Sequence, residues 1–122
     1  PDHRPQPTDE QRRRAAAILA AFRASPAAPP GRELLDTLDP ELLAWLAESR
    51  QLVRVAADIW FLADTYQAMR GWVEGEVGGG GSVTLAGFRD RWQTTRRYAQ
   101  AVLEHLDEQR VTRRVGDERV AW

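Results

Sequence analysis

The stretch that decides the fold is TTRRYAQAVLEHLDEQRVTRRVGDERVAW, residues 94–122. Its first part has an apolar stripe at helical spacing, formed by Ala99, Val102, Leu103 and Leu106. Thr94 or Thr95 stands where a helix N-cap belongs. Its second part has two β-prone runs, VTRRV and ERVAW, on either side of a Gly116-Asp117 turn. A helix followed directly by a hairpin predicts a helix-turn-helix domain that ends in a β wing.

The Gly116-Asp117 turn predicts how the two strands of this wing pair. The expected cross-strand pairs are Val115 with Glu118, Arg114 with Arg119, Arg113 with Val120, Thr112 with Ala121 and Val111 with Trp122. Strand alternation then predicts an inward face of Val111, Val115, Val120 and Trp122, with Arg113 among them. Arg113 is expected either to bury its stem in that face with its head at the rim or to contact a ligand.

Arg114 and Arg119 are predicted to share the opposite face of the wing. Like charges that stand directly opposite each other are unfavourable unless an anion lies over them. A phosphate would serve, and so would Glu108 or another carboxylate of the neighbouring helix.

The first half of the chain predicts the same order of elements. Thr8 and Gln11 form a capping box that opens a first helix, which ends at the breaker stretch SPAAPPG, residues 25–31. A short helix over 32–38 follows, and Asp39 and Pro40 then cap the helix ELLAWLAES. The runs LVRVA and IWFLA predict a hairpin with its turn at residues 57–58.

The second half repeats this order at an offset of about 60 residues. Asp64 is expected to cap a helix that ends at GGGGS, residues 78–82, and a short strand over 83–84 and a helix over 85–92 precede the quoted stretch. Leu43, Leu46, Arg50, Arg54 and Val55 match Leu103, Leu106, Arg110, Arg114 and Val115. We therefore predict a mostly α protein with small β wings (α+β), built as two tandem winged-helix domains over residues 1–63 and 64–122.

Composition excludes several classes of function. The 122 residues are 43% hydrophobic and 29% charged, and none is cysteine, which rules out disulfides and thiolate metal sites. The two histidines, His3 and His105, lack metal-ligand spacing, and no Gly-Lys-Ser/Thr follows the glycines at 78–81. We expect no catalytic residues, metal or cofactor. No apolar run is long enough to span a membrane, and the start PDHRPQPTDE is not a signal peptide. The opening Pro1 suggests a piece of a longer protein. The absence of cysteine fits a cytoplasmic protein.

Charge distribution favours a binding role for the second half. Arg96 and Arg97 fall in the first turn of a helix, where the dipole is unfavourable for cations, so a docked anion would be stabilised there. The corresponding helix of the first half presents Glu41 and Glu48 instead. The first domain is therefore expected to be a spacer or a protein-contact module. All 17 cationic residues are arginine, which suits phosphate binding but also fits a biased genomic base composition.

Residues 88–120, FRDRWQTTRRYAQAVLEHLDEQRVTRRVGDERV, resemble the C-terminal winged-helix region of SelB, the bacterial selenocysteine-specific elongation factor. The stretches LDPELLAWL and LVRVAADIWFLADTYQAMR are similar to the preceding winged helix of that family. The sequence departs from the family pattern at Arg97, where lysine is commoner, and at Val102 and His105, where leucine and tyrosine are frequent.

This resemblance implies binding of the selenocysteine insertion (SECIS) hairpin in messenger RNA by the second domain. The implied RNA-binding residues are Arg89, Thr94, Thr95, Arg96, Arg97, Tyr98, Arg113, Arg114 and Arg119. The ribosome and selenocysteinyl-tRNA would be partners through the GTPase domains of the parent factor, which this chain does not contain. We expect a monomer with no membrane partner. Tyr98 fits either a core position or a base-stacking platform.

Two other functions are compatible with the predicted fold. A winged-helix transcription regulator would bind duplex DNA, since a fold does not fix a function. A module that only binds other proteins would suit the acidic first domain.

Overall fold

The computed structural model describes residues 7–122, except for the side chain of Arg32. In chain order the elements are α1 (Asp9–Ala24), α2 (Arg32–Leu35), α3 (Pro40–Glu48), β1 (Leu52–Ala56), β2 (Ile59–Leu62), α4 (Ala63–Gly78), β3 (Val83–Thr84), α5 (Leu85–Trp92), α6 (Arg96–Glu108), β4 (Thr112–Val115) and β5 (Glu118–Ala121). β1 and β2 form an antiparallel hairpin, and β5 lies between β3 and β4 in a three-stranded sheet. The predicted fold class, a mostly α chain with two β wings, is confirmed.

The helices of the first domain begin where the capping residues predict. Thr8 and Gln11 form a reciprocal capping box at α1, and the Asp39 side chain accepts a hydrogen bond from the Glu41 backbone at α3. Each such cap contributes on the order of 1 kcal/mol. Phe22 and Leu46 lie fully buried in the core that α1 and α3 share with the first wing.

The two domains join without a linker. β2 ends at Leu62 and α4 begins at Ala63, with no side-chain cap on its first turn. The prediction that Asp64 caps this helix is wrong, because the strand passes straight into the helix and places Asp64 already within the first turn. The buried stripe of α4 consists of Tyr66, Met69, Val73 and Val77, which stand at helical spacing in the sequence.

The first wing contributes to the core of the second domain. Val55, Ile59 and Phe61 belong to the same buried cluster as Met69, Phe88 and the apolar stripe of α6. The Phe61 ring meets the Tyr98 ring edge-on, with the ring centroids 6.0 Å apart. Since packed interiors transmit displacements, the two domains are held in one orientation by apolar contact.

The internal repeat is visible in the backbone. Arg50 after α3 and Arg110 after α6 both adopt the left-handed region, with φ of 60° and 59°. Each N–H then bonds back to its helix, Arg50 to the Ala47 carbonyl and Arg110 to the Asp107 carbonyl, both at 3.1 Å. The predicted offset of 60 residues is therefore a repeat of structure at these turns.

The second wing pairs in the predicted register but faces the other way. Thr112 pairs with Ala121, Arg113 with Val120, Arg114 with Arg119 and Val115 with Glu118. Thr112 and Arg119 are 0% and 4% exposed, whereas Val115 and Trp122 are 48% and 63% exposed. The predicted inward face is therefore wrong at Val115 and Trp122, whereas Val111 of the same face packs against the core.

His105 predicts a pH dependence of stability. Its ring lies edge-on to the Tyr66 ring at 5.2 Å, and burial lowers its pKa below the usual value, while nearby Glu108 acts in the opposite direction. The unfolded chain therefore binds this proton more readily, so the free energy of unfolding should fall as the pH drops through about 6.5. Denaturant unfolding at about pH 7.5 and about pH 5 measures this change. An equally large fall in the His105→Gln variant would assign the effect to other groups.

Candidate nucleic-acid interface

Residues 94–98 form the N-terminal end of α6 with the turn before it, called here the α6 entrance. Thr95 is the N-cap, and its hydroxyl accepts a hydrogen bond from the Tyr98 backbone at 3.2 Å. Arg96 and Arg97 follow in the first turn, which contains no acidic residue. Free N–H groups and two guanidinium groups therefore converge at one end of a 13-residue helix.

Two predicted residues of the α6 entrance bind the first domain. The Thr94 hydroxyl donates a hydrogen bond to the Ala27 carbonyl, and the Tyr98 hydroxyl donates to the Pro29 carbonyl at 2.9 Å. Tyr98 is also half-buried against the core, which favours the core interpretation of this ring over a free stacking platform. The first domain therefore holds the α6 entrance through the loop between α1 and α2.

The two arginines of the α6 entrance differ in their surroundings. Nη2 of Arg97 lies 2.6 Å from Oδ2 of Asp58, at the tip of the first wing, and both side chains remain partly exposed. Arg96 is exposed, and within residues 7–122 its guanidinium has no hydrogen-bond or ion-pair partner. Arg96 is therefore the cation of this entrance that is free to receive a ligand.

A groove runs between α6 and the first wing. Its volume is about 640 Å³, and its lining combines an apolar floor with charged ends: Val55, Ala56, Ile59, Arg96, Arg97, Gln100, Ala101, Glu104 and Glu108. Gln100 and Glu104 are exposed, but Ala101, which lines the same groove, is buried. The exposed side of α6 is thus partly covered by the first domain.

The predicted anion over the wing arginines is a carboxylate of the protein. Arg119 lies with Nη2 3.2 Å from Oδ2 of Asp107, at the end of α6, and the Thr112 hydroxyl donates to Oδ1 of the same carboxylate at 2.6 Å. For Arg119 the carboxylate alternative therefore holds, although Asp107 supplies it and not Glu108; for Arg114 a phosphate contact stays a prediction. Arg119 is buried in this ion pair, so the structure gives it a role in holding the wing to the helix.

The other predicted arginines lie on the surface. Arg113 and Arg114 are exposed on the wing, and Nε of Arg114 donates to the Gly116 carbonyl at 2.9 Å. Arg89 on α5 is exposed and pairs with its neighbour Asp90 at 3.2 Å. For Arg113, the prediction of a buried stem is not met.

Trp122 was missed as a surface residue because it was assigned to the core. Its ring is exposed, and the Arg110 guanidinium lies 5.6 Å from its centroid. In the first wing, the register positions of Thr112 and Arg119 are occupied by the apolar residues Leu52 and Trp60.

Residues 7–122 contain no group of three histidine, aspartate or glutamate side chains that could hold a metal ion. His3 lies outside the described residues. Among the described helices, none combines the length and the hydropathy that crossing a bilayer requires.

The fold and the α6 entrance define the class of this protein as a tandem winged-helix protein with one basic helix entrance. Residues 78–121 match the family described as elongation factor SelB, winged helix. The resemblance seen in the sequence is therefore confirmed. A comparison with curated proteins found no match.

Two solved structures show the same fold over nearly the whole chain. The mRNA-binding domain of elongation factor SelB from E. coli, in complex with SECIS RNA, superposes with a TM-score of 0.68 at 22% identity, covering 93% of this chain and 98% of that one. A bacterial selenocysteine-specific elongation factor, EF-Sec, superposes with a TM-score of 0.63 at 16% identity, covering 94% of this chain. This chain spans 18% of the length of that factor.

Proposed function

We propose that this chain is the mRNA-binding part of a selenocysteine-specific elongation factor and that it binds a SECIS hairpin. The observation that carries the proposal is that the segment matching the SelB winged helix is also the one with the basic α6 entrance. Residues 1–63 and 64–122 are the two domains, and the second makes the RNA contacts. The chain acts as a monomeric binding module in the cytoplasm and not as an enzyme. Selenocysteinyl-tRNA and the ribosome are partners of the parent factor.

The geometry suits a hairpin tip better than a long duplex. A-form RNA hides its base edges in a deep, narrow major groove, so proteins bind its phosphates and the unstacked bases of loops. The α6 entrance offers one helix end with Arg96 exposed, and the second wing offers Arg113 and Arg114. In this proposal Arg96 supports recognition at the loop, the wing arginines contact backbone phosphates, and Arg89 adds a peripheral phosphate contact. Thr94, Tyr98 and Arg119 serve by holding these groups in place.

A DNA-binding regulator is not favoured by any observation. Such proteins insert the exposed side of a recognition helix into the major groove. Here that side of α6 faces the first wing, with Ala101 buried at the junction.

The test is a titration of the 122-residue chain with a SECIS hairpin, a variant of that hairpin with a scrambled loop, and a DNA duplex. Each titration is done at two salt concentrations, because phosphate contacts alone give strong salt dependence. Tighter binding of the intact hairpin supports the proposal. Preference for the duplex would support a DNA-binding role instead, and absence of binding would leave a protein-contact role.

The Arg114→Ala variant should weaken binding to both RNA hairpins by a similar factor. Arg114 is exposed on the wing, where a phosphate contact carries no sequence information. If it neutralises one phosphate, the slope of log affinity against log salt becomes shallower by about one. A slope equal to that of the unmodified chain would remove Arg114 from the interface.

A further inference from the structure

The anion predicted for the α6 entrance is already present in the free protein. Asp58, at the tip of the first wing, lies 2.6 Å from the guanidinium of Arg97. Arg97 stands in the first turn of α6, beside the positive end of the helix dipole, where a nearby carboxylate relieves the unfavourable placement of the cation. The first domain therefore supplies to the second domain a charge of the kind that an RNA phosphate would bring.

We infer that Asp58 is a specificity-determining residue, which competes with RNA phosphates for Arg97 and thereby disfavours binding to RNA of the wrong loop. This inference rests on the proposed function. A phosphate that approaches Arg97 must share or displace the carboxylate, so backbone attraction alone gains less at this position. A hairpin whose loop docks at Arg96 leaves the Asp58–Arg97 pair in place, whereas a hairpin with another loop relies on its backbone phosphates and must break that pair.

The contacts around the pair allow Asp58 to act on Arg97 without setting the position of the helix. The α6 entrance is held independently by the hydrogen bonds of Thr94 to Ala27 and of Tyr98 to Pro29. The Phe61 and Tyr98 rings hold the same junction by apolar contact. Because the Asp58–Arg97 pair is partly exposed, its own contribution to stability is small. Removal of the Asp58 charge should therefore leave the fold intact and release Arg97.

Among the described carboxylates near α6, Asp58 is the one placed to compete with a phosphate for Arg97. Glu104 and Glu108 also line the groove, but Glu104 accepts a hydrogen bond from Gln100, one turn further along the helix. Among the described residues, Asp58 is the carboxylate that pairs with an arginine of the α6 entrance. Asp58 also belongs to the first domain, so that domain takes part in RNA selection and is more than a spacer.

The experiment compares Asp58→Asn with the unmodified chain. Both are titrated with a SECIS hairpin and with its loop-scrambled variant over a series of salt concentrations. We expect Asp58→Asn to bind the scrambled hairpin roughly two- to fivefold more tightly, the factor that corresponds to an exposed ion pair. The salt slope for that RNA should steepen by about one, since one more phosphate is neutralised. The ratio of the two affinities should fall.

Glu10→Gln is the matched control, because Glu10 forms an exposed ion pair with Arg14 at 2.9 Å within α1. It removes the same charge and the same kind of pair without touching α6. A double-mutant cycle with Arg97→Ala adds a second control, since Asp58→Asn should have no effect once Arg97 is absent.

The outcomes separate this inference from the proposed function. If the unmodified chain does not distinguish the two hairpins, the proposed function fails. If it does distinguish them, two results would overturn the inference. One is that Asp58→Asn changes the affinities no more than Glu10→Gln does. The other is that Asp58→Asn has the same effect in the Arg97→Ala background. Weaker binding of the intact hairpin by Asp58→Asn would also overturn it, because Asp58 would then orient Arg97 toward the RNA.

Discussion

Replacement of Asp107 by alanine is expected to lower the free energy of unfolding by about 3 kcal/mol, because it leaves the buried Arg119 without its partner. The Arg119 side chain is 5% exposed and the Asp107 side chain 25% exposed, so water cannot replace the lost carboxylate at full strength. The Thr112 hydroxyl loses the same acceptor. Denaturant unfolding followed by circular dichroism measures the change.

The first domain suggests the variant that recovers this stability. Leu52 and Trp60 occupy in the first wing the register positions of Thr112 and Arg119, and both are buried. An apolar side chain is therefore tolerated at this place in the fold. Asp107→Ala combined with Arg119→Met should regain most of the loss, since a buried ion pair can be replaced by well-packed apolar groups. Asp117→Ala, in the exposed wing turn, should change stability by less than about 0.5 kcal/mol. An Asp107→Ala loss as small as that would contradict the buried-pair argument.

Arg96→Ala is expected to abolish loop-specific hairpin binding. A hydrogen bond to a charged group contributes about 1.5–3 kcal/mol, so the affinity for the intact hairpin should fall roughly tenfold or more. It should approach the affinity for the loop-scrambled hairpin. Arg96 has this weight because its guanidinium is exposed at the α6 entrance, whereas that of Arg97 is held by Asp58.

The titration of Arg96→Ala at fixed salt has a direct control. Arg13→Ala removes the same charge from an exposed position of α1 and should leave the discrimination between hairpins unchanged. Unfolding curves of the two variants should coincide, because neither arginine is part of a buried cluster. If Arg96→Ala keeps the discrimination of the unmodified chain, recognition lies elsewhere, and the exposed Trp122 beside Arg110 becomes the first place to test.

The order of elements and the strand register were predictable because they depend on local chemistry. Capping by Thr8 and Thr95 and the two-residue turn at Gly116 act within a few residues of the chain. The face of the wing was not predictable from the valines, because valine occupies both buried and exposed positions of the two wings. Comparison with the first wing gives the face only in part, because Leu52 and Thr112 are both buried, whereas Val55 is buried and its counterpart Val115 is exposed.

The hydrogen-bond and ion-pair partners of the site residues could not be predicted from the sequence, for a different reason. Thr94 bonds to Ala27, Tyr98 to Pro29 and Arg97 to Asp58, and these pairs are 67, 69 and 39 residues apart in the chain. No local pattern encodes such contacts, since they follow from how two domains pack. The sequence therefore identified which residues gather at the α6 entrance but not which of them the first domain already occupies.

Because β2 passes directly into α4, the rotation of α4 relative to the first wing depends on the number of residues at this junction. One residue inserted between Leu62 and Ala63 would rotate α4 by about 100° about its axis. The stripe that contains Met69 and Val73 would then turn away from the core it shares with Phe61. The glycine-rich loop at 78–82 could absorb a change of length, but this junction could not. Helical phase therefore fixes the number of residues at this junction.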